Sequence, residues 1–284
     1  MKVALPLALT AAFVAPYGVA AWGTLGHETI GYLAMQFLLP NTLSTVQTTL
    51  GSTFSSSLGP ASIWADQVRS QTAFKFSAPF HFIDANDSPP TSCSVDLARD
   101  CGTGGCVVSA IQNYTIRVQQ PSLGATQVQQ ALLFITHFIG DIGQPLHDEA
   151  LALGGNTISA TCNGASTNLH ATWDTGIITA NVNALYGGSP QTYASALATR
   201  ITSGDFSSLA AGWVSNISPS ALSSTAVPLT WSQEANALIA PSYSLTTGQD
   251  LCVSPYVDNA LPVIELQLAK QGYRLATWLN TIFG

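Results

Sequence analysis

The most hydrophobic stretch in the interior of the sequence is Ala131-Leu132-Leu133-Phe134-Ile135-Thr136-His137-Phe138-Ile139. It lies within residues 126–140 and is apolar on nearly every side of a helix. Such a helix must be buried, so we expect it at the centre of the molecule. His137 lies within this apolar run. A titratable side chain in a buried helix suggests a chemical role.

Further helices are expected on either side of this segment. Ser189 followed by Pro190 is a typical helix start, and Thr230 with Gln233 forms a capping-box pattern. Asn163-Gly164 is a favoured two-residue turn, which predicts a short β-hairpin over residues 156–168. The expected further helices cover residues 22–38, 189–202, 230–240 and 258–283. The sequence therefore predicts an all-α fold, a mainly α-helical single domain over residues 22–284 with one short β-hairpin.

The N-terminus has the composition of a signal peptide. Lys2 precedes an apolar run over residues 3–15, and the small residues Val19-Ala20-Ala21 follow Pro16 and Gly18. A buried N-terminal helix is the weaker alternative, because proline and glycine flank the run. We expect residues 1–21 to be removed, so that the mature chain begins at Trp22. The interior contains no membrane-length apolar stretch, and we expect no membrane association.

Secretion changes how the cysteines are interpreted. In an oxidising compartment, five cysteines predict two disulfides and one remaining thiol. The cysteines are Cys93, Cys101, Cys106, Cys162 and Cys252, of which Cys101 and Cys106 are close enough to close a small loop. Three sequence patterns for N-glycosylation begin at Asn86, Asn113 and Asn216. Pro89 directly follows the first of these patterns and disfavours it.

The charge of the chain limits its possible partners. Only 8% of the residues are charged, and the net charge is −7. This argues against a protein that holds long duplexes through many phosphate contacts. A nucleic-acid enzyme is still possible, because bound metal cations could supply a local positive field.

The histidines suggest a metal site. Two of the five histidines have an aspartate four residues later, His137 with Asp141 and His170 with Asp174. On a helix, such a pair lies on one face and could bind one ion. The other ligand-type residues in similar settings are His27, His81, His147 and Asp66.

A lone histidine on an apolar helix is more often a hydrogen-bonded core residue than a ligand. At the end of the most hydrophobic helix, however, an imidazole and a carboxylate are costly to bury together without a cation. Histidine with aspartate and no cysteine favours zinc at a hydrolytic site over a structural zinc site. From these patterns alone we predict a secreted metallohydrolase.

The ligand-type residues also lie in ordered motifs. These are Trp22-Gly23-x-x-Gly26-His27-Glu28, Trp64-Ala65-Asp66-x-x-Arg69, His81-Phe82-Ile83-Asp84, His137-x-x-Gly140-Asp141-Ile142-x-Gln144-Pro145-Leu146-His147 and Asn168-Leu169-His170-x-x-Trp173-Asp174. From Trp22 to about Trp278 the chain resembles the zinc-dependent single-strand-specific nuclease family of fungi and plants, most closely its fungal S-one/P-one branch. The resemblance implies a helical fold with three zinc ions in a cleft.

The resemblance also assigns the ligands. One zinc ion would be bound by Asp66, His81, His137 and Asp141. A second would be bound by His27, by the shared Asp141, and by the amino nitrogen and carbonyl oxygen of Trp22. The third would be bound by His147, His170 and Asp174. A free amino group at Trp22 exists only after cleavage, so the uncut precursor should lack a proper second site.

The implied activity is hydrolysis of single-stranded DNA or RNA to 5′-phosphate products, together with 3′-nucleotidase activity on 3′-nucleotides. Asp66 would orient the attacking water, and Arg69 would bind the phosphate oxygens, although a solvated surface charge is the alternative for Arg69. Phe82 would stack on a nucleobase and Asp84 would hydrogen-bond to it, which favours unpaired bases. The family also implies disulfides Cys93–Cys252 and Cys101–Cys106. No obligate protein partner is expected.

Two other functions remain open from the sequence. A related zinc fold hydrolyses lipid head groups, so a phospholipase C-like activity is possible, as is a secreted binding or effector protein that has lost catalysis. Gly143 and Ala171 stand where relatives often have histidine. Gly176 stands where some relatives have Asn or Tyr near the base site, which leaves the substrate preference open.

Overall fold

The computed structural model describes residues 22–284, so the expected signal peptide lies outside the described residues. The helices are α1 Thr24–Met35, α2 Pro40–Leu50, α3 Leu58–Ala61, α4 Trp64–Val68, α5 Leu97–Asp100, α6 Val107–Val118, α7 Ala125–Asp141, α8 Leu169–Ala171, α9 Ile177–Leu185, α10 Pro190–Thr202, α11 Ala210–Trp213, α12 Ala226–Asn236 and α13 Tyr256–Phe283. Short 3-10 turns span Ser52–Phe54, Lys75–His81, Pro121–Leu123, Pro145–Asp148 and Pro219–Ala221, and a π-helical turn spans Thr172–Gly176. The expected all-α fold is confirmed.

Helix α7 lies at the centre, as its composition predicts. Every residue from Ala131 to Asp141 is buried, and α6 and α13 pack against the helix. Phe134 stacks on Tyr114 of α6 and on Phe138 one turn later. The polar end of α7, which carries His137 and Asp141, therefore lies deep inside the molecule.

Helix α1 is held close to its neighbours. It packs against α3, α10 and α13. A side chain at Gly31 would overlap the Leu58 carbonyl, and one at Gly272 of α13 would overlap Leu33, so glycine at both positions permits the close approach. This packing fixes the face of α1 that presents His27 to α7.

The expected helix ends are confirmed for α10 and shifted for α12. The Ser189 hydroxyl accepts a hydrogen bond from the Thr192 backbone N–H, so Ser189 is the N-cap of α10. Helix α12 was expected to begin at Thr230, but that residue lies inside the helix, where its hydroxyl donates to the Ala226 carbonyl. The start lies further upstream because Pro228 is accommodated in the first turn, where a backbone N–H is not required.

The predicted hairpin is also present. Strands β1 Ser159–Cys162 and β2 Ala165–Asn168 pair antiparallel. Asn163 and Gly164 both have positive φ, 49° and 79°, as a tight two-residue turn requires. The Asp250 carboxylate accepts hydrogen bonds from the backbone N–H groups of both turn residues. The hairpin leads directly into α8, which carries His170.

One expected disulfide is correct and the other is wrong. Cys101 is bonded to Cys106, whereas Cys252 is bonded to Cys162 and not to Cys93. The Leu251 N–H donates to the Thr161 carbonyl at 2.8 Å, which aligns the next residue, Cys252, with the end of β1. Within residues 22–284, no helix combines the length and apolar composition needed to cross a membrane.

Candidate metal centre

All five histidines converge in the interior, although they are spread over 144 positions of the sequence. Helix α1 contains His27, and α7 contains His137. His81 is the last residue of the turn Lys75–His81, and His147 lies within the turn Pro145–Asp148. His170 comes from α8, and none of the five is more than 3% exposed. With the aspartates they form groups of potential metal ligands: His27–His137–Asp141, Asp66–His81–His137 and His147–His170–Asp174.

The ligand atoms around the end of α7 have the spacing of a single-ion site. Asp141 Oδ2 lies 3.0 Å from His81 Nδ1 and 3.1 Å from His137 Nε2. Asp66 Oδ1 lies 3.7 Å from both of these nitrogens. A tetrahedral zinc ion with bonds of about 2.0–2.1 Å separates its ligand atoms by roughly 3.3 Å. These four side chains can therefore surround one ion.

Asp141 also faces a second group through its other oxygen. Its Oδ1 atom lies 3.2 Å from His27 Nε2. The His27 ring stacks on His137, and a side chain at Gly140 would come within 2.9 Å of His27 Nδ1, so glycine is needed there. Trp22 is fully buried beside this group, and its indole N–H donates to the Gly140 carbonyl. The first residue of the expected mature chain thus lies against the ligand-bearing end of α7.

The third group is built on shorter segments. Asp174 Oδ2 lies 3.1 Å from His170 Nε2, and Asp174 Oδ1 lies 3.8 Å from His147 Nε2. The His147 and His170 rings stack, with centroids 5.0 Å apart. Asp174 stands on the π-helical turn Thr172–Gly176, four residues after His170.

Backbone carbonyls orient three of the imidazoles. The Nδ1 atoms of His137, His147 and His170 lie 2.6, 2.9 and 2.7 Å from the carbonyl oxygens of Ser62, His81 and Gly154. A carbonyl only accepts, so each Nδ1 carries a hydrogen, and Nε2 is the nitrogen that the neutral form of each ring can offer to a metal. Metal-binding histidines are typically oriented in this way.

The cluster contains buried polar atoms that lack a hydrogen-bond partner among residues 22–284. They are both ring nitrogens of His27, Nε2 of His81, His147 and His170, and an oxygen each of Asp66 and Asp141. A buried polar atom without a partner costs about 1–3 kcal/mol. The atoms among them that lie between the ligand groups are Nε2 of His27, His147 and His170 and the oxygens of Asp66 and Asp141. Cations would satisfy these atoms, so the donor set fits metal ions.

The pKa values of the imidazoles are shifted in both directions, and at His170 burial is outweighed by the Asp174 carboxylate, which raises the pKa. Burial lowers the pKa of His147 to about 3 and also lowers the pKa values of His27 and His81. Burial would lower the pKa of His137 too, but the Asp141 and Asp66 carboxylates outweigh it and raise that pKa to about 9. Only neutral imidazole binds a metal, so His137 must release a proton on binding whereas His147 is already neutral.

The expected substrate residues line a cavity of about 220 Å³ beside the cluster. Arg69, Phe82 and Asp84 share this cavity with three of the candidate ligand histidines. Arg69 Nη1 lies 3.5 Å from Asp66 Oδ1. The structure therefore brings the expected substrate residues to the candidate ligands. The ligand histidines at this cavity are His81, His147 and His170.

Sequence reasoning missed two features of the site. Leu153, 69% exposed, lines the cavity from a left-handed segment, where Ala152 and Leu153 have φ of 54° and 56°. The two glycines that follow, Gly154 and Gly155, could have predicted a turn at this position. The second feature is Gln144, which is fully buried and hydrogen-bonds to Asp174. A glutamine before a proline gave no indication of such a role.

Comparisons with known proteins agree with this geometry. The family model for S1/P1 nuclease matches residues 22–284. The chain is 44% identical over 269 residues to Nuclease P1 of Penicillium citrinum, covering 93% of this chain and 98% of the relative. It is 42% identical over 267 residues to Nuclease S1 of Aspergillus oryzae, with 92% and 91% covered, and 31% identical over 278 residues to Endonuclease 4 of Arabidopsis thaliana, with 94% and 90% covered. The chain therefore belongs to the S1/P1 nuclease family.

Proposed function

We propose that this protein is a secreted zinc-dependent endonuclease that hydrolyses single-stranded DNA and RNA to 5′-phosphate products and also acts as a 3′-nucleotidase. Family membership and the names of the relatives support a nuclease. The observation that carries the proposal is that the His/Asp cluster opens onto the same cavity as Arg69, Phe82 and Asp84. One nucleotide could therefore contact the metal ligands, the phosphate-binding Arg69 and the base-binding Phe82 and Asp84 at the same time.

The donor set favours three zinc ions. Asp66, His81, His137 and Asp141 would hold the first, His27 and Asp141 with the Trp22 amino nitrogen and carbonyl oxygen the second, and His147, His170 and Asp174 the third. When bound, zinc lowers the pKa of water towards about 7 and polarises phosphoryl oxygens. The buried position of Trp22 beside Gly140 supports its role as a ligand.

Asp66 and Arg69 are suited to act on the phosphate. The Asp66 side chain is 20% exposed, whereas those of His81, His137 and Asp141 are at most 2% exposed. Asp66 can therefore accept a hydrogen bond from the attacking water and orient it. The Arg69 guanidinium, adjacent to Asp66, can donate to the non-bridging phosphate oxygens as negative charge develops there.

Phe82 and Asp84 supply selectivity for unpaired nucleotides. Phe82 offers an aromatic face for stacking, and the Asp84 carboxylate can accept hydrogen bonds from a base edge. In a duplex, both faces of a base are covered by its neighbours and its edge is paired. Single strands can present both features, so we expect them to be the preferred substrate.

Two further features support an extracellular location. The disulfides Cys101–Cys106 and Cys162–Cys252 fit an oxidising compartment. Asn86, Asn113 and Asn216 are all exposed, as glycan attachment would require. We propose that residues 1–21 direct secretion and that glycans are added at one or more of these asparagines.

The test is metal analysis of the secreted, processed protein, combined with digestion of matched single- and double-stranded oligonucleotides and identification of the product ends. We expect bound zinc, faster cleavage of single strands and 5′-phosphate products. Hydrolysis of phosphatidylcholine vesicles in place of oligonucleotides would favour the phospholipase C-like alternative. Oligonucleotide binding without cleavage by the zinc-loaded protein would favour a catalytically silent binding protein.

A further inference from the structure

Gln144 connects two segments that carry the third group of ligands. It is fully buried and directly precedes the turn Pro145–Asp148, which contains His147. Its Oε1 atom accepts a hydrogen bond from the Leu146 N–H at 2.7 Å and so caps this turn. Its Nε2 atom donates to Asp174 Oδ1 at 2.6 Å, on the π-helical turn thirty residues away.

This second contact defines the orientation of the Asp174 carboxylate. Asp174 Oδ2 faces His170 Nε2, while Oδ1 is held by the Gln144 amide. The side chain of Asp174 is 2% exposed, so water offers little alternative to that hydrogen bond. Apart from the histidines, the amide of Gln144 is the one hydrogen-bond donor to this carboxylate within residues 22–284.

We propose that Gln144 is a positioning residue for the third metal ion. Its amide prevents rotation of the Asp174 carboxylate and keeps Oδ2 directed at the ion, while its carbonyl oxygen fixes the turn that presents His147. The inference rests on the proposed metal cluster. It goes further because Gln144 is not itself a ligand. Its side chain is inferred to set the coordination geometry of the third ion and not that of the other two.

A purely structural role would make a different prediction. The main chain at Asp174 is anchored independently, because its carbonyl accepts a hydrogen bond from the Gly23 N–H at 2.8 Å. Loss of the Gln144 amide should therefore leave the backbone of the π-helical turn in position and free only the carboxylate. The expected defect lies in metal affinity and not primarily in folding.

The test compares Gln144→Met with Gln267→Met. Gln267 is also fully buried, and its amide donates at 2.7 Å to the carbonyl of Gly143, the residue next to Gln144, so the control loses a similar hydrogen bond without touching a ligand. Zinc binding would be measured by equilibrium dialysis against buffered free zinc. We expect Gln144→Met to bind one of the ions about 10–100-fold more weakly, as is typical when an outer hydrogen bond to a ligand is lost. Gln267→Met should bind all ions like the unmodified protein.

Gln144→Asn serves if Gln144→Met does not fold, since it keeps an amide but is one methylene too short to reach both partners. Activity should fall mainly in kcat, and excess zinc should restore it. Unchanged binding of all ions by a folded Gln144 variant would overturn the inference. If the unmodified protein cleaves no phosphodiester but the variants still differ in zinc affinity, the proposed function fails and the positioning role stands.

Discussion

The candidate centre has two regions that are built differently. Of the candidate ligands around Asp141, His27, His137 and Asp141 itself stand on α1 and α7, helices of 12 and 17 residues embedded in the core, whereas Asp66 and His81 stand on α4 and on the turn Lys75–His81. The third group stands on the turn Pro145–Asp148, on the three-residue helix α8 and on the π-helical turn Thr172–Gly176. Packing of long helices fixes Asp141 and the two histidines on α1 and α7, whereas individual hydrogen bonds and a disulfide hold the second region. We expect the geometry of the first region to tolerate substitutions of neighbouring residues. The geometry of the second should depend on each hydrogen bond and on the disulfide.

The largest effect should come from Asp141, which we propose is shared by both ions of the first region. Asp141→Asn replaces one carboxylate oxygen with an amide that cannot serve as a second anionic ligand, so both ions should bind poorly. We expect kcat/KM on single-stranded oligonucleotides to fall on the order of 1000-fold, equivalent to about 4 kcal/mol. The measurement is steady-state cleavage alongside zinc content.

Asp205→Asn is the matched control for that change. Asp205 pairs with Arg200 at the surface and its side chain is 60% exposed, so its replacement should leave cleavage and zinc content unchanged. Wild-type activity in Asp141→Asn would show that Asp141 is not an essential shared ligand. The proposed distinction between the two regions would then fail as well.

The N-terminus should show the next largest effect, because it touches both regions. The Trp22 indole N–H donates a hydrogen bond to the Gly140 carbonyl at the end of α7, and the Gly23 N–H donates to the Asp174 carbonyl on the π-helical turn. A methionine retained ahead of Trp22 converts its amino group to an amide, which is a poor ligand. We expect about a 100-fold loss of activity and a loss of zinc. The control carries one extra residue after Gly284, and full activity of the N-terminally extended form would exclude Trp22 as a ligand.

Titration of one imidazole from each region tests the balance of burial and carboxylate charge in the metal-free protein. The pKa of His137 is raised to about 9 and that of His147 is lowered to about 3, against an ordinary value near 6.5. The stabilisation from His137 is fully present below about pH 6.5 and is lost as the pH rises through 9. The stabilisation from neutral His147 is present above about pH 6.5 and is lost as the pH falls towards 3. Each slope is at most about 1.4 kcal/mol per pH unit.

NMR titration of the imidazole C–H signals, after removal of metal, measures these values directly. His137→Gln and His147→Gln assign the two signals. We expect the stability that these two rings contribute to the metal-free protein, obtained from urea unfolding of the unmodified protein relative to the two variants, to decline on both sides of about pH 6.5. Equal pKa values for the two rings would contradict the expectation that burial dominates at His147 and carboxylate charge dominates at His137.

The sequence predicted the long helix of the first region better than the contacts that hold the second. The apolar run around His137 gave α7 within one residue at each end, and the spacing to Asp141 predicted a shared face. The pairing of Cys162 with Cys252 was not predictable, because it depends on where residues 250–252 cross the end of β1. Likewise, no local signal shows that Gln144 reaches Asp174, since the contact exists only after the two turns have packed.

Gly176 offers the smallest but most specific test of the second region. A side chain at this position would lie 2.7 Å from Cys162 Sγ and 3.2 Å from Cys252 Sγ, so the disulfide occupies the space that a larger residue would need. Gly176→Asn should therefore destabilise the protein by about 1–3 kcal/mol through overpacking, measured by urea unfolding. Gly212→Asn is the control, because no atom lies within 4 Å of the added carbon there.

A double-mutant cycle shows whether the disulfide is the cause. Replacing Cys162 and Cys252 with alanine removes the crosslink and should by itself cost about 2–5 kcal/mol. In that background, however, Gly176→Asn should cost less than in the unmodified protein, because the two sulfur atoms no longer fill the space. If Gly176→Asn costs the same in both backgrounds, the disulfide does not constrain the π-helical turn. The choice of glycine at 176 would then have to be explained by the substrate cleft.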